Sequence, residues 1–325
     1  MKFETHKKLN AHFQKFAHNL KPDETALSYK IATLESEQEK NFFAKLREND
    51  LFQLLNIVPV NYAQGEAIGL VQAMASTTDT EKYARLPKLA ASRFKYDCQQ
   101  MNFDSIISFD KLNHFVQVDL DFVEVFESYL DKHLLSNVLM VGLNGTHKTD
   151  TSNPETAPYG EDVAKGWLQK IREHAQSHNG QSVLNIGEIG TNGTYKTLNK
   201  AVKAGIAKIK PIYADGDLIA ICGRDIVPDD AIENNKDGLE GQFITRLQKL
   251  VGGCKAITIP HFPANAILLT RLDNLSLYVH KNNIRRGFLD GTELDRINHY
   301  FSFNVDFVVE NFDACCLLEN IELAE

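Results

Sequence analysis

A chain of 325 residues, 43% hydrophobic and 24% charged, is long enough for one large domain or two modest ones. Its net charge of −8 argues against a protein whose main work is gripping nucleic acid, because phosphate contacts require clustered Lys and Arg. No apolar run approaches the roughly 18 residues a membrane helix requires, and five scattered cysteines without a CxxC pair point to neither a disulfide framework nor a zinc site.

The start, Met1-Lys2-Phe3-Glu4, lacks the continuous apolar stretch of a secretory signal, and the cysteine usage fits a reducing cytoplasm. Residues 1–21 hold five Lys against one Glu, which marks them as a separate element of an otherwise acidic chain. Leu9, Phe13, Phe16 and Leu20 form the stripe of a short amphipathic helix, with Lys7, Lys8 and Lys15 off it and Pro22-Asp23 closing it. Such a helix either packs on its own domain or serves as a detachable arm for a partner or a neighbouring copy. A second helix is expected over 34–55, carrying Phe42, Phe43, Leu46 and Leu54. Asn56 to Val60 is extended, since Pro59 disfavours helix for its predecessor.

Residues 61–97 are rich in Gly, Ala, Ser, Thr and charge, with few large apolar side chains. A long extended hairpin that reaches outward suits this composition; a surface loop is the alternative. Met101, Phe103, Ile107 and Phe109 form one strand face, with Asn102, Asp104 and Ser108 opposite. The strongest periodic signal is residues 111–141, where Leu112, Phe115, Val116, Val123, Phe126, Leu130, Leu134, Val138 and Val141 recur without Pro or Gly until Gly142. That predicts a rod of roughly 45 Å. Its acidic side (Asp119, Asp121, Glu124, Glu127, Asp131) faces solvent or a neighbour.

Residues 144–160 read as a loop. Asp162 stands where a cap would for a helix through Ala175, a Gly-rich turn follows, and Thr194 caps a helix carrying Leu198, Val202, Ile206 and Ile209 that Pro211 stops. Leu218 to Cys222 is a buried strand, and a helix is expected from Glu240 to Val251. Short strands come next at 256–260, 266–270 and 275–279. In the last segment Phe303, Val305, Phe307 and Val309 point in, while Asn304, Asp306 and Glu310 point out. Phe312, Ala314, Cys316 and Leu318 make a final strand face. The sum is an α+β chain with no βαβ run that demands a doubly wound sheet.

Chemistry is sparse. Gly187-Glu188-Ile189-Gly190-Thr191-Asn192-Gly193 has GxxGxxG spacing, neither GxGxxG nor the GxxxxGK[ST] form, so turn glycines explain it better than a phosphate loop. The eleven His form no HxH or HExxH, and no GxSxG elbow occurs. His261 reads as a turn or interface residue, and Cys315-Cys316 as packing in a strand. Arg285-Arg286 is a surface ion-pair site or a contact to a neighbouring subunit. No catalytic, cofactor or metal residues emerge; a long protrusion, an arm and one long helix suit a self-associating structural protein.

Several phrases carry a resemblance. They are Asn56-Ile57-Val58-Pro59-Val60, Ala75-Ser76-Thr77-Thr78-Asp79-Thr80, Tyr96-Asp97-Cys98 before Asn102-Phe103-Asp104, Gly142-Leu143-Asn144-Gly145, and Asp162 through Lys170. Later come Ile259-Pro260-His261-Phe262-Pro263-Ala264-Asn265-Ala266, Leu272-Asp273-Asn274-Leu275-Ser276, Arg285-Arg286, Leu294-Asp295-Arg296 and Val308-Val309-Glu310. In that order, from about residue 56 to the C-terminus, the chain resembles the major capsid proteins of Peduovirus-type, contractile-tailed temperate phages.

The resemblance implies the tailed-phage capsid (Johnson) fold and no enzymatic activity or cofactor. It implies a cleavable scaffold-associated segment at 1–31, an N-terminal arm at 32–60 and an extended loop at 61–100. It further implies a peripheral domain at 101–185 and 285–325 with its spine helix at 111–141, and an axial domain at 186–284. A maturation protease would cut within Ser28, Tyr29, Lys30, Ile31, Ala32 and Thr33, which match the family loosely. Thr77, Thr78, Asp79, Arg285 and Arg286 would meet other subunits. The implied partners are further copies in hexamers and pentamers, a scaffolding protein with the protease, a portal protein and packaged double-stranded DNA, with no membrane. The competing readings are an encapsulin-like shell, which has no removable scaffold segment, and an α+β enzyme that binds a phosphorylated ligand at the glycine loop.

Overall fold

The computed structural model describes residues 5, 7–8, 29–70, 77, 79, 82, 94–117, 122–214, 217–227, 244–246 and 250–323. Thr5, Lys7 and Lys8 are helical, and the buried Thr5 hydroxyl donates to Asn113 Oδ1 at 3.0 Å. The rest of the helix expected over 1–21 lies outside the described residues.

Strand β1 (Tyr29–Thr33) leads into helix α1 (Ser36–Glu48). A capping box starts α1: the Glu35 backbone N–H donates to Gln38 Oε1 at 3.0 Å, and the Glu35 carboxylate accepts from the third helical N–H. The single helix expected over 34–55 is instead two. Asn49 adopts extended backbone, and its side chain accepts the Leu51 N–H to begin α2 (Asp50–Leu54). Extended segments β2 (Asn56–Val60), β3 (Gln64–Glu66), β4 (Lys95–Asp97), β5 (Gln99–Asn102) and β6 (Ser105–Ser108) follow. β3 and β4 pair antiparallel, and most of the residues between them, where the extended hairpin is expected, lie outside the described residues.

The rod expected over 111–141 is described as α3 (Phe109–Gln117) and α4 (Phe122–Asn144), with 118–121 outside the described residues. At 1.5 Å per residue α4 spans about 35 Å. Helix α5 (Trp167–Ser177) starts after Gly166 rather than at Asp162. The Asp162 carboxylate is buried and accepts the Asn153 N–H at 2.7 Å, which ties down the 144–160 loop.

A strand, β7 (Val183–Ile189), stands where a glycine-rich turn was expected, because parallel pairing with the last strand recruits it. Helix α6 (Leu198–Ile206) is capped by Thr197, not Thr194; the Thr197 hydroxyl accepts from Lys200 N–H. Next come β8 (Ile219–Cys222) and β9 (Thr245–Arg246). β9 replaces part of the helix expected over 240–251, because antiparallel pairing with the next strand captures it. The chain closes with β10 (Lys255–Thr258), β11 (Ile267–Thr270), β12 (Leu275–His280), β13 (Arg285–Gly291), β14 (Arg296–Val309) and β15 (Cys315–Leu323).

Two mixed sheets result. The first runs β1-β13-β14-β12-β2, and the 14-residue β14 also pairs with β5 and β6 along its length. The second runs β7-β15-β11-β8-β10-β9. Segments read along the chain do not coincide with the sheets. β12, inside 186–284, pairs in the first sheet, and β15, inside 285–325, pairs in the second. Strand pairing joins residues far apart in sequence, so contiguous segments cannot reproduce it.

The largest core lies between the sheets. It joins Phe42 and Leu46 of α1, Val138 and Leu139 of α4, and Trp167 and Leu168 of α5 to Phe303 and Phe307 of β14 and Leu268 and Leu317 of the second sheet. The Trp167 indole N–H donates to Ser276 O at 3.0 Å, so its buried polar atom is satisfied. A second core, Ala201 and Val202 with Ala220, Ile267, Leu269 and Leu318, fills the space between α6 and the other face of the second sheet.

Candidate assembly interface

Three places hold residues 29–48 and the base of the segment after Val60 to the body. The first is the sheet edge. β1 pairs antiparallel with β13, with Tyr29 opposite Phe288, Ala32 opposite Arg286 and Thr33 opposite Arg285. Leu34 N–H then donates to Ile284 O at 2.8 Å. Tyr29, Lys30, Ile31, Ala32 and Thr33 of the expected cleavage region are thus an edge strand; Ser28 lies outside the described residues.

The second is a charged cluster where α1, α4 and the first sheet meet. The Arg286 guanidinium donates to both Glu127 carboxylate oxygens, at 3.1 and 2.9 Å, with both side chains nearly buried. Arg286 Nε also donates to His299 Nε2 at 3.1 Å, and Ser105 Oγ lies 3.2 Å from His299 Nδ1. Burial, reinforced by the Arg286 charge, lowers the His299 pKa to about 3 and keeps the ring neutral. Lys45 of α1 reaches Asp131 at 2.7 Å and Glu127 at 3.6 Å. Burial raises the Asp131 pKa even though the Lys45 ammonium opposes the shift. The acidic side of the long helix therefore faces the chain's own arm and sheet at Glu127 and Asp131. The arginine pair divides: Arg286 is bound within the chain, whereas Arg285 is exposed.

The third is the base of the loop that begins after Val60. Asp306 and Glu310 were expected to point outward, and both are buried. Asp306 Oδ2 accepts the Asp97 N–H at 3.0 Å, and its Oδ1 pairs with Lys170 at 2.6 Å. Glu310 Oε2 accepts the Gly69 N–H at 2.6 Å, and Oε1 accepts the Tyr278 hydroxyl at 3.0 Å. Tyr278 Oη in turn accepts the Ile68 N–H at 2.7 Å, and its ring packs on Tyr96. One carboxylate holds the outgoing chain and the other the returning chain. Gly69, at φ +74°, takes the left-handed conformation this approach needs. Strand alternation hides both residues, because the covering layer is the loop base itself.

Thr77 and Asp79 are exposed, and Asp79 pairs with Lys82 at 3.1 Å; Thr78 lies outside the described residues. At the glycine loop, a Cβ on Gly193 would sit 1.8 Å from Glu188 O, so the chain packs on itself there, and Gly187 belongs to β7. His261 sits in a turn at φ +62°, its Nε2 2.8 Å from Ser136 Oγ. All five cysteines are buried, and burial pushes Cys98, Cys222 and Cys316 up to about 12. Among the described residues no group of three His, Cys, Asp or Glu is placed to hold a metal ion, and no helix is long and apolar enough to cross a membrane.

The segment after Val60 is anchored at its base and α1 is clipped to the long helix, and comparison with known proteins shows what kind of chain this is. The model of the family described as "Phage major capsid protein, P2 family" matches residues 8–321. The chain belongs to that family. It is 33% identical to the capsid protein of Escherichia phage P2 over 349 aligned positions, which cover 100% of this chain and 96% of that protein. It is 28% identical to the major capsid protein of Serratia phage KSP20, covering 92% of this chain and 91% of the relative. Among solved structures, a chain of the satellite phage P4 procapsid including size determination (Sid) protein superposes with a TM-score of 0.73 at 34% identity. The match covers 88% of this chain and 99% of that one. The fold is the tailed-phage major capsid fold. A member of this family is a structural protein of the phage head, located in the virion shell, and not an enzyme.

Proposed function

We propose that copies of this major capsid protein assemble as hexamers and pentamers of an icosahedral head enclosing double-stranded DNA. A scaffolding protein with a maturation protease directs assembly, and a portal protein occupies one vertex. The protease removes residues 1–31, with its cut inside 28–33. Residues 32–60 act as the arm and 61–100 as the loop that overlaps a neighbour, through Thr77, Thr78 and Asp79, with the exposed Arg285 available on β13, one strand in from the edge. The peripheral domain is built on the first sheet and α4. The axial domain is built on the second sheet and α6.

The observation that carries this reading is the position of Tyr29–Thr33. It is an edge strand in extended conformation, which is the form a protease binds by strand addition. It immediately precedes a helix clipped to α4 by Lys45. A cut there severs the chain ahead of α1 and leaves the clip in place. The family supports the reading further, since the P4 procapsid chain is a shell subunit.

Co-expression of the full chain with its scaffolding protein and protease, followed by negative-stain microscopy and intact-mass measurement, tests it. Closed uniform shells whose subunits begin between Ser28 and Thr33 are expected. Closed shells of uncut subunits would remove the processing step, and small soluble oligomers alone would overturn the head-forming role.

A further inference from the structure

The stretch from Ile189 to Ala214 holds five lysines (Lys196, Lys200, Lys203, Lys208 and Lys210) and neither Asp nor Glu. The whole chain carries −8, so those five leave the remainder at −13. The fold concentrates this charge on one surface. Helix α6 buries Ala201, Val202 and Gly205 against the second sheet, so closely that a Cβ on Gly205 would come 2.8 Å from Leu269 and from Leu318. Lys200 and Lys203, one turn apart, are exposed on the side away from the sheet, and Lys196 and Lys208 are exposed at its two ends. Lys210 pairs with Asp313 of its own chain. Among the described residues no carboxylate pairs with the other four.

Two large apolar side chains border this surface. Leu250 is 61% exposed in a turn that packs on α6, where Gly252 N–H donates to Asn199 Oδ1 at 2.8 Å. Ile212 is 42% exposed just beyond the helix.

We propose that the lysine face of α6 is a contact to a second copy of the chain, made heterologously; this rests on the shell-forming role. A patch of one sign cannot be its own partner. Across a two-fold axis it would meet itself, and like charges would oppose each other. It must meet a different patch, and the acidic surplus of every copy supplies one. Heterologous contacts of this kind close rings. Duplex DNA also offers anions, but a phosphate backbone gives Leu250 and Ile212 nothing to pack on, whereas a protein surface buries them.

The test is the double variant Lys200→Glu with Lys203→Glu in the full chain, co-expressed with the scaffolding protein. Lys200 is the third residue of α6, where Glu suits the helix dipole, while Glu at Lys203 in the last turn opposes it, so the two effects offset and the soluble subunit should melt close to the wild type. Shell yield should fall about tenfold or more, because like charges now face each other across the contact. Wild-type shell yield would overturn the proposal. So would normal shells that package less DNA, since the lysines would then serve phosphate. If the double reversal lowers the melt, Lys200→Gln with Lys203→Gln decides on the same readout: assembly of that pair should lose yield and lose salt sensitivity, and unchanged assembly overturns the contact. Failure of the wild type itself to form shells would instead sink the head-forming role.

Discussion

Glu310 is 2% exposed, and each of its carboxylate oxygens has a donor: the Gly69 N–H on one, the Tyr278 hydroxyl on the other. Charge-assisted bonds of this kind are stronger than neutral ones, and leaving a buried donor without an acceptor costs about 1–3 kcal/mol. Glu310→Gln keeps the size but offers an NH2 to one of the two donors. The variant should lose about 1–3 kcal/mol in urea unfolding of the unassembled subunit, and amide exchange at Ile68 and Gly69 should speed up about ten- to a hundredfold. Unchanged exchange at both amides would show that Glu310 does not hold the loop. No sequence pattern marks Glu310. Alternation along β14 holds to Val305, and beyond it residues of both faces are buried. The apolar half, Phe303, Val305, Phe307 and Val309, was legible because period-2 alternation reports the core directly. The polar half was not, because the covering group comes from a loop more than two hundred residues away in the chain.

Arg286 and Lys45 both reach Glu127 of α4, one from the sheet and one from the arm, and their burial separates their weights. Lys45 is 42% exposed, so its pairs are worth at most about 1 kcal/mol. Arg286 and Glu127 are 11% and 12% exposed, and removing the guanidinium takes two charge-assisted bonds from a nearly buried carboxylate. Arg286→Ala should therefore cost about 3 kcal/mol in thermal or urea unfolding, against about 1 kcal/mol or less for Lys45→Ala. Equal losses would show that Lys45 anchors α4 as strongly as Arg286 does, and that burial does not separate the two. Arg286→Lys should restore little, since one ammonium cannot reproduce the two-pronged contact. Among elements, α4 and the apolar strands β8, β11 and β12 were legible from unbroken runs, while β7 and β9 were not. Those two are strands by virtue of their partners β15 and β10. Asn49 shows the same limit in a helix. Its side chain can continue one helix or begin the next, and periodicity alone does not choose.

The second sheet is covered on both sides, which shows in how its strands divide. Ile221, Ile257, Leu268 and Leu317 face the core shared with α5 and the first sheet. Ala220, Ala256, Ile267, Leu269 and Leu318 face α6. That accounts for runs such as Ile267-Leu268-Leu269, where alternation is absent because neither face meets water. A sheet shared in this way has no core that belongs to one half of the molecule. The packing between α4 and α5 adds to the unity: a Cβ on Gly142 would strike Trp167 at 2.5 Å and Phe307 at 2.7 Å. The body should therefore unfold as one unit despite its two sheets and 325 residues. Calorimetry of the unassembled subunit should give a single transition with calorimetric and van't Hoff enthalpies in agreement. Two separated transitions would mean that the second sheet and α6 melt alone, and the shared core would then not couple the halves. A single rigid body suits a shell subunit. The lysine face of α6 and the anchored loop base thus belong to one packed body, joined through the second sheet and the core it shares with α4.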